Sequence, residues 1–331
     1  MSFKIVIAGT YPEGTFEKFQ SSLCGTAAEL IEVKTQEEFD ALEDADVILL
    51  RIFKMPEKDI ARFPSLKAIL RWGVGYDTVD IEAAGKRGIY VCNTPGANSH
   101  AVAELVMMMI LILSRKVLCY RDNINRGQWA KNAYLNQTIT LNNKVVGIIG
   151  GGNIGRRVAQ DVRVLGAATQ YYDPYRMSEE QENQLKMKYV PFDELIRTSD
   201  IVTIHVPLMD STRHMIGREQ IAAMKDGAIL INCARGGLVD DQALLEAVES
   251  GKLSGAGIDT LEIEPPAADS PLRNNPNILI TPHIGGDVSD IGDVAIPMIS
   301  RNMKKLANGE TPDYIVNKEY LKQSRSEKTF V

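Results

Sequence analysis

Three residues far apart in the chain, Arg235, Glu264 and His283, between them carry the groups that proton-coupled reduction of a carbonyl requires. Imidazole titrates near physiological pH, so His283 can give a proton to an emerging alkoxide and take it back in the reverse direction. A carboxylate such as Glu264 beside it would favour the imidazolium and fix the ring's orientation and tautomer. The planar guanidinium of Arg235 can fork between a carboxylate and the reacting carbonyl oxygen, where charge develops in the transition state. The hydride has to come from a cofactor, and the protein supplies geometry and electrostatics.

A site for that cofactor is written upstream. The stretch NKVVGIIGGGNIGRRVAQDVRVLG opens with a β-branched apolar run, turns through glycines, and continues with Ile154, Val158, Val162 and Leu165 at helical spacing. Gly150, Gly152 and Gly155 fit GxGxxG, in which the first permits the turn, the second admits a pyrophosphate, and the third lets helix and strand pack closely. Asn153 and Ile154 open the new helix, whose free amides and dipole would meet the phosphates. Asp173 ends the next strand, AATQYYDP, 18 residues after Gly155, where its carboxylate can accept hydrogen bonds from ribose hydroxyls. That charge would repel a 2′-phosphate and favours NAD over NADP, although Arg176 nearby pulls the other way.

The elements that must position these groups form two α/β series. FKIVIAGT, ELIEVK, ADVILLRI, LKAILRW and GIYVCN read as five strands alternating with helical stretches, and KVVGIIG, ATQYYD, DIVTIHV, GAILINCA, LSGAGID and NILITPH as six more. The expected fold class is therefore α/β, with two doubly wound parallel-sheet domains: a Rossmann domain for the dinucleotide inserted in a flavodoxin-like substrate domain. Residues 1–98 with 297–331 are expected to form the substrate domain, and 99–296 the dinucleotide domain. The segment ANSHAVAELVMMMILILSRKVLCYRDNI reads as one long linking helix, with Met107, Met108 and Met109 as core or subunit-interface filler. From Pro297 onward the chain is expected to cross back, ending in a polar tail.

Parallel sheets bind ligands outside the carboxyl ends of their strands. In the first series Arg51 and Arg71 sit there, with the loop WGVGYD whose amides at Gly73 to Gly75 can face an anion. In the second, His205, Arg235, Asp259 and His283 follow four separate strands.

Composition bounds the partners. The 331 residues include 37 basic and 43 acidic side chains, a formal net charge of −6 without a sustained basic run, which argues against nucleic acid. The longest apolar run, Leu105 to Leu113, is far shorter than the roughly 20 residues a membrane span needs. The amino terminus lacks the features of a signal peptide. Cys24, Cys92, Cys119 and Cys233 are widely spaced, and the four histidines show no metal-ligand pattern, so reduced thiols, a cytoplasmic setting and no metal are expected.

In this order, the stretches LKAILRWGVGYDTVD, NTPGANSHAVAELVM, GIIGGGNIGR with YYDP, HVPL, INCARGGLVDDQAL, GAGIDTLEIEPP and PNILITPHIGG resemble the D-isomer-specific 2-hydroxyacid dehydrogenases across nearly the whole chain. The resemblance implies an NAD-dependent oxidoreductase that moves a hydride between nicotinamide and C2 of a D-2-hydroxy or 2-oxo acid. It carries the catalytic triad onto Arg235, Glu264 and His283. It places His205, Pro207, Cys233, Ala234, Asp259 and Gly285 around the cofactor, and the amides of Val74 and Gly75 on the substrate carboxylate. A homodimer is implied as well, with one domain binding NAD and the other closing over the acid.

Two positions depart from the family's commonest pattern. Trp72 stands where a smaller residue is usual, with room to narrow the pocket or to pack beneath the loop, and Asp287 follows IGG. Arg51 and Arg71 resemble arginines that the 3-phosphoglycerate dehydrogenase branch uses near its substrate phosphate, leaving phosphoglycerate, hydroxypyruvate and glyoxylate as candidate substrates. Phosphite dehydrogenases and the NAD-responsive corepressor scaffolds share the pattern and stay open as alternatives, whereas Glu264 argues against formate dehydrogenases, which carry glutamine there.

Overall fold

The computed structural model describes residues 2–321. The chain divides into two compact units, one made of the residues up to Asn98 together with those from Ser289 on, the other of Ser99–Val288.

The first unit holds β1 (Phe3–Ala8), β2 (Ala28–Val33), β3 (Val47–Leu50), β4 (Ala68–Arg71) and β5 (Tyr90–Cys92), all parallel in the order β2-β1-β3-β4-β5. Both faces are apolar, as a covered parallel sheet requires. Val6, Ile48, Leu50 and Ile69 meet Phe39, Phe53 and Phe63 on one side. Ile5, Ile7, Val47 and Leu49 meet Phe19, Trp72, Ile299 and Met303 on the other. Residues one apart thus serve opposite layers, the period-2 rule of a strand.

The returning chain enters this unit earlier than expected. The crossing falls at 288/289 rather than before 297, and the helix Gly292–Ala307 contains Pro297. The reason is packing: Ile291, Ala295 and Ile296, all ahead of or beside the proline, are buried in the first unit's core. Beyond the helix, Ile315 bridges antiparallel to Cys92, and the buried Asn317 side chain bonds Val91 N, Ile81 O and Ile89 O. The polar tail lies outside the described residues.

The second unit holds β6 (Val145–Ile149), β7 (Ala168–Tyr172), β8 (Lys188–Tyr189), β9 (Ile201–Ile204), β10 (Ala228–Asn232), β11 (Leu253–Ile258) and β12 (Ile278–Ile280). They form one parallel sheet in the order β12-β11-β10-β9-β6-β7-β8. Six of these strands match the sequence reading; β8 is only two residues long and carries no apolar run to betray it. The strand order reverses between β6 and β9, the crevice where dinucleotides bind in such sheets.

The expected single linking helix is two, Ser99–Ser114 and Val117–Asn125, both in the second unit. Lys116 breaks it by adopting φ 52°. Its buried ammonium donates to Ser254 O and to Asn277 Oδ1, and an uninterrupted helix would forfeit the geometry that reaches them. Of the methionines, Met109 is fully buried, Met107 packs at the core's edge and Met108 is exposed. Among the described residues no helix is long and apolar enough to cross a membrane.

Candidate active site

Gly150 leaves β6 at φ 106°, its amide donating to Tyr172 O at 2.8 Å. A Cβ there would stand 2.7 Å from His205 O, and one on Gly155 only 2.1 Å from Gly150 O, so both positions demand glycine. Gly152 faces open space instead. It heads the helix Asn153–Val164 without any side-chain cap, leaving the first amides, including those of Asn153 and Ile154, to be satisfied from outside. Asp173 accepts from Gly151 N and Tyr175 N, each at 2.8 Å, which ties the carboxylate to the glycine turn. Arg176 is committed elsewhere: its guanidinium forks onto Glu182 at 2.8 and 2.9 Å and lies over the Tyr189 ring. That pairing holds the Glu182 carboxyl well below its ordinary range. The net anionic character beside the turn therefore belongs to Asp173. An uncapped helix start, an open Gly152 and a tethered carboxylate together fit NAD.

At the carboxyl ends of β10, β11 and β12 the second unit gathers its reactive side chains. The buried Asn232 ends β10 and staples the next turn, donating to Arg235 O at 2.8 Å and accepting from Ala234 N at 3.1 Å. Arg235 also donates to Ala234 O at 2.7 Å. His283 follows β12 in the left-handed region, φ 57°, a strained conformation for a side chain with a Cβ. Asp259 maintains it. The buried Asp259 accepts from Thr281 Oγ1 at 2.6 Å and from the amides of Ile284 and Gly285 at 2.8 Å, while its own carbonyl accepts from His283 N at 3.0 Å. His283 Nδ1 then stands 3.1 Å from Glu264 Oε2, and Glu264 Oε1 accepts from Leu261 N at 3.0 Å. A cavity of about 430 Å³ adjoins the pair, lined in part by Leu261, Pro265, Thr281 and Pro282.

His205 differs. It ends β9 with its backbone amide on Ile149 O at 2.7 Å and one ring nitrogen 3.0 Å from Thr203 Oγ1. Its Nδ1 is buried with no hydrogen-bond partner among the described residues, and desolvation pushes the ring's pKa down to about 3, so the ring is neutral. Pro207 follows, its carbonyl accepting from Thr212 Oγ1 at 2.8 Å.

In the first unit the loop after β4 is held by its carbonyls. Gly73 O accepts from Thr94 N at 3.0 Å, Val74 O from Asn93 Nδ2 at 2.8 Å and Gly75 O from Arg71 Nε at 3.1 Å. Gly73, at φ 125°, gives its amide to Thr94 Oγ1. The amides of Val74 and Gly75 donate to no acceptor among the described residues. With these three carbonyls drawn back, the 73–75 stretch has amides left to give, the requirement for holding an anion.

Comparison with known proteins decides the family. Residues 107–285 match the model of the D-isomer specific 2-hydroxyacid dehydrogenase NAD binding domain. The chain belongs to that family. It is 39% identical over 88% of its length to the D-3-phosphoglycerate dehydrogenase of Methanocaldococcus jannaschii, of which it spans 55%. It is also 39% identical, over 80% of its length, to the hydroxypyruvate reductase of Thermotoga maritima, of which it spans 86%. The crystal structure of a glyoxylate reductase from Paecilomyes thermophila superposes with a TM-score of 0.84 at 29% identity, covering 96% of this chain and 99% of that one.

Within this dehydrogenase framework several of the singled-out side chains have structural partners as well. Arg71 is buried and shapes the loop through Gly75 O, and Arg51 Nη1 donates to Thr10 O at 2.5 Å, so each guanidinium has a structural task at its own strand end. Trp72 packs, one of the two alternatives open to it: it is buried edge-on against Tyr11 and Phe19, with ring centroids 5.1 and 6.4 Å away. The Cys233 thiol points into the core toward Met109 Sδ at 3.6 Å. Sequence reading passed over Asn232, Thr281, Asn93 and Thr94, whose side chains set the functional loops. Asn232 carried a signal, a lone amide closing the apolar strand AILIN. The threonines carried none, since a threonine beside a turn is common. Among the described residues no group of His, Cys, Asp and Glu could hold a metal ion.

Proposed function

We propose that the chain reduces a small 2-oxo acid to the D-2-hydroxy acid, and catalyses the reverse, with NAD(H) as cofactor. The observation that carries this reading is the 3.1 Å contact between His283 Nδ1 and Glu264 Oε2. It spends one ring nitrogen on the carboxylate and leaves Nε2 for the substrate oxygen. Bound NADH supplies the hydride. In the reducing direction His283 gives the Nε2 proton to the carbonyl oxygen, and Glu264 fixes the ring and balances its charge while it is protonated. Arg235 binds the carboxylate and polarises the carbonyl. In the first unit the amides of Val74 and Gly75 take the substrate carboxylate. Arg51 and Arg71 each make a bond at their own strand end, but one bond does not exhaust a guanidinium, so hydroxypyruvate, glyoxylate and 3-phosphohydroxypyruvate all stay within the reading.

The test is NADH oxidation against glyoxylate, hydroxypyruvate, 3-phosphohydroxypyruvate, pyruvate and longer 2-oxo acids, with His283→Ala alongside. Histidine-dependent turnover of at least one of these acids is the expected result. Preference for the phosphorylated acid would reassign the two arginines, and silence despite tight NADH binding would favour a cofactor-responsive scaffold. A homodimer is part of the same reading. Met108, Leu111, Val117, Ile124, Trp129 and Leu135 expose apolar surface along one stretch of the second unit, Trp129 to 86%. Sedimentation equilibrium of wild type and Trp129→Asp checks it, the substitution being expected to shift mass toward the monomer.

A further inference from the structure

The turn that carries Arg235 and the loop that carries Glu264 meet at a point where neither catalytic side chain is involved. A Cβ on Gly236 would lie 1.9 Å from Leu261 O and 2.8 Å from Glu262 N, so the two backbones touch and only glycine fits. The same Leu261 gives its amide to Glu264 Oε1. Any slip of the 261–262 peptide against Gly236 therefore moves Glu264 relative to Arg235.

A third segment grips both sides of this contact. His214 N donates to Gly237 O at 2.7 Å, on the Arg235 side, and Ile216 bridges to Val239 just beyond. On the Glu264 side, His214 Nε2 stands 3.1 Å from both carboxylate oxygens of Glu262, and Arg213 Nη1 stands 3.6 Å from one of them. Arg213 also lies against Gly237, where a Cβ would meet its Nη1 at 3.3 Å. Glu262 N completes the set by donating to Asp241 Oδ2 at 3.1 Å, beside Asp240, whose carboxylate caps the helix Asp241–Glu249. His214 adopts φ 50°, which a side chain accepts only where surrounding contacts over-determine it.

We infer that Glu262 is a positioning residue of the reaction: held by His214 and Arg213, its carboxylate locks the Glu264 loop onto the Arg235 turn and so fixes the guanidinium relative to the His283–Glu264 pair. The inference rests on the proposed function for its kinetic consequence, not for its structural one. Two anchors from one segment, the His214 ring nitrogen and the Arg213 guanidinium, suit this role, because together they resist sliding where a single bond would pivot.

The test compares Glu262→Ala and Glu262→Gln with wild type, and adds Glu262→Ala in a Glu264→Gln background. Glu262→Ala should lower kcat about tenfold or more, within the loss that small misplacements of catalytic groups bring, while NADH affinity stays as in wild type. Glu262→Gln keeps an acceptor for His214 and should lose less. If Glu262 acts through Glu264, the alanine substitution should cost far less once Glu264 is already glutamine; a merely structural role would give additive losses. Amide exchange supplies a readout independent of turnover: Glu262→Ala should speed exchange at Leu261 N while Ile284 N and Gly285 N, held by Asp259, keep their protection. Unchanged exchange at Leu261, or additive kinetics in the double variant, would overturn the inference. A wild-type protein with no histidine-dependent turnover would instead sink the proposed function and leave the exchange experiment to decide the brace.

Discussion

The two sheets present opposite parts of the chain at their carboxyl edges. In the first unit the side chains of Arg71, Asn93 and Thr94 turn back to seize the carbonyls of the loop after β4, and what remains outward is backbone, the amides of Val74 and Gly75. In the second unit the backbone is the part turned inward. Asp259 collects the amides of Ile284 and Gly285, and what remains outward is side chain, His283 and Glu264. The difference follows the work proposed for each. A carboxylate common to every 2-oxo acid can be held by fixed dipoles that never titrate, whereas a proton that must come and go needs an ionisable ring.

That contrast can be broken most directly at the ionisable edge. His283→Ala should lower kcat by about 10² to 10⁴, the usual worth of a general acid and base, with NADH affinity preserved in a fluorescence titration; retained turnover would remove the ring from the mechanism. Arg235→Lys should cost about 10² to 10³ in kcat/KM, because a point charge cannot replace a fork at developing charge, and steady-state rates near wild type would refute the bidentate role. At the backbone edge the effect should be smaller and of another kind. Arg71→Leu loosens Gly75 O and should raise KM for the 2-oxo acid about tenfold with kcat nearly kept, the signature of lost uniform binding; a fall in kcat at unchanged KM would contradict the amide clamp. Asp173→Ala should narrow the preference for NAD over NADP by about tenfold, in line with the loss of one charged hydrogen-bond acceptor. The competition between the two cofactors measures it.

A last comparison, in stability rather than rate, sets His205 against His283. His205 is held neutral, with its pKa pushed from 6.5 down to about 3. The unfolded chain therefore binds the extra proton first as pH falls below 6.5. Stability present above that value is lost progressively toward pH 3, at up to about 1.4 kcal/mol per pH unit from this residue. Thermal melts of His205→Asn between pH 7 and pH 4 should show a shallower decline than wild type; parallel curves would mean the ring is protonated in the folded protein.

What the sequence made legible follows from how singular each residue type is. Gly150 and Gly155 could be read because no other residue survives 2.1 to 2.7 Å from a carbonyl oxygen, and a glycine after a β-branched run announces such a place. The Glu264 and His283 pairing could be read because each follows a strand whose partners share one sheet. The direction of a long side chain could not. Arg71 and Arg51 stand at strand ends in the sequence, but nothing there says that Arg71 Nε finds Gly75 O four residues on, or that Arg51 finds Thr10 O beyond the neighbouring strand. The break at Lys116 was hidden for the same reason, since the acceptors that draw its ammonium, Ser254 and Asn277, lie far along the chain. Local pattern shows what a residue is able to do, and tertiary partners decide which of those things it does.

The late helix Gly292–Ala307 has a consequence for how the chain is made. It contributes Ile296, Ile299, Met303 and Leu306 to the core of a sheet whose strands are all complete by Cys92. Between them the ribosome must deliver the 190 residues of Ser99–Val288, which at typical rates takes roughly 10 to 40 s. During that interval this face of the first sheet has only the short helix Thr15–Ser22, through Phe19, to cover it. The first unit therefore cannot close its core until the second has been made, and its sheet waits half-covered for a helix encoded about 200 residues later.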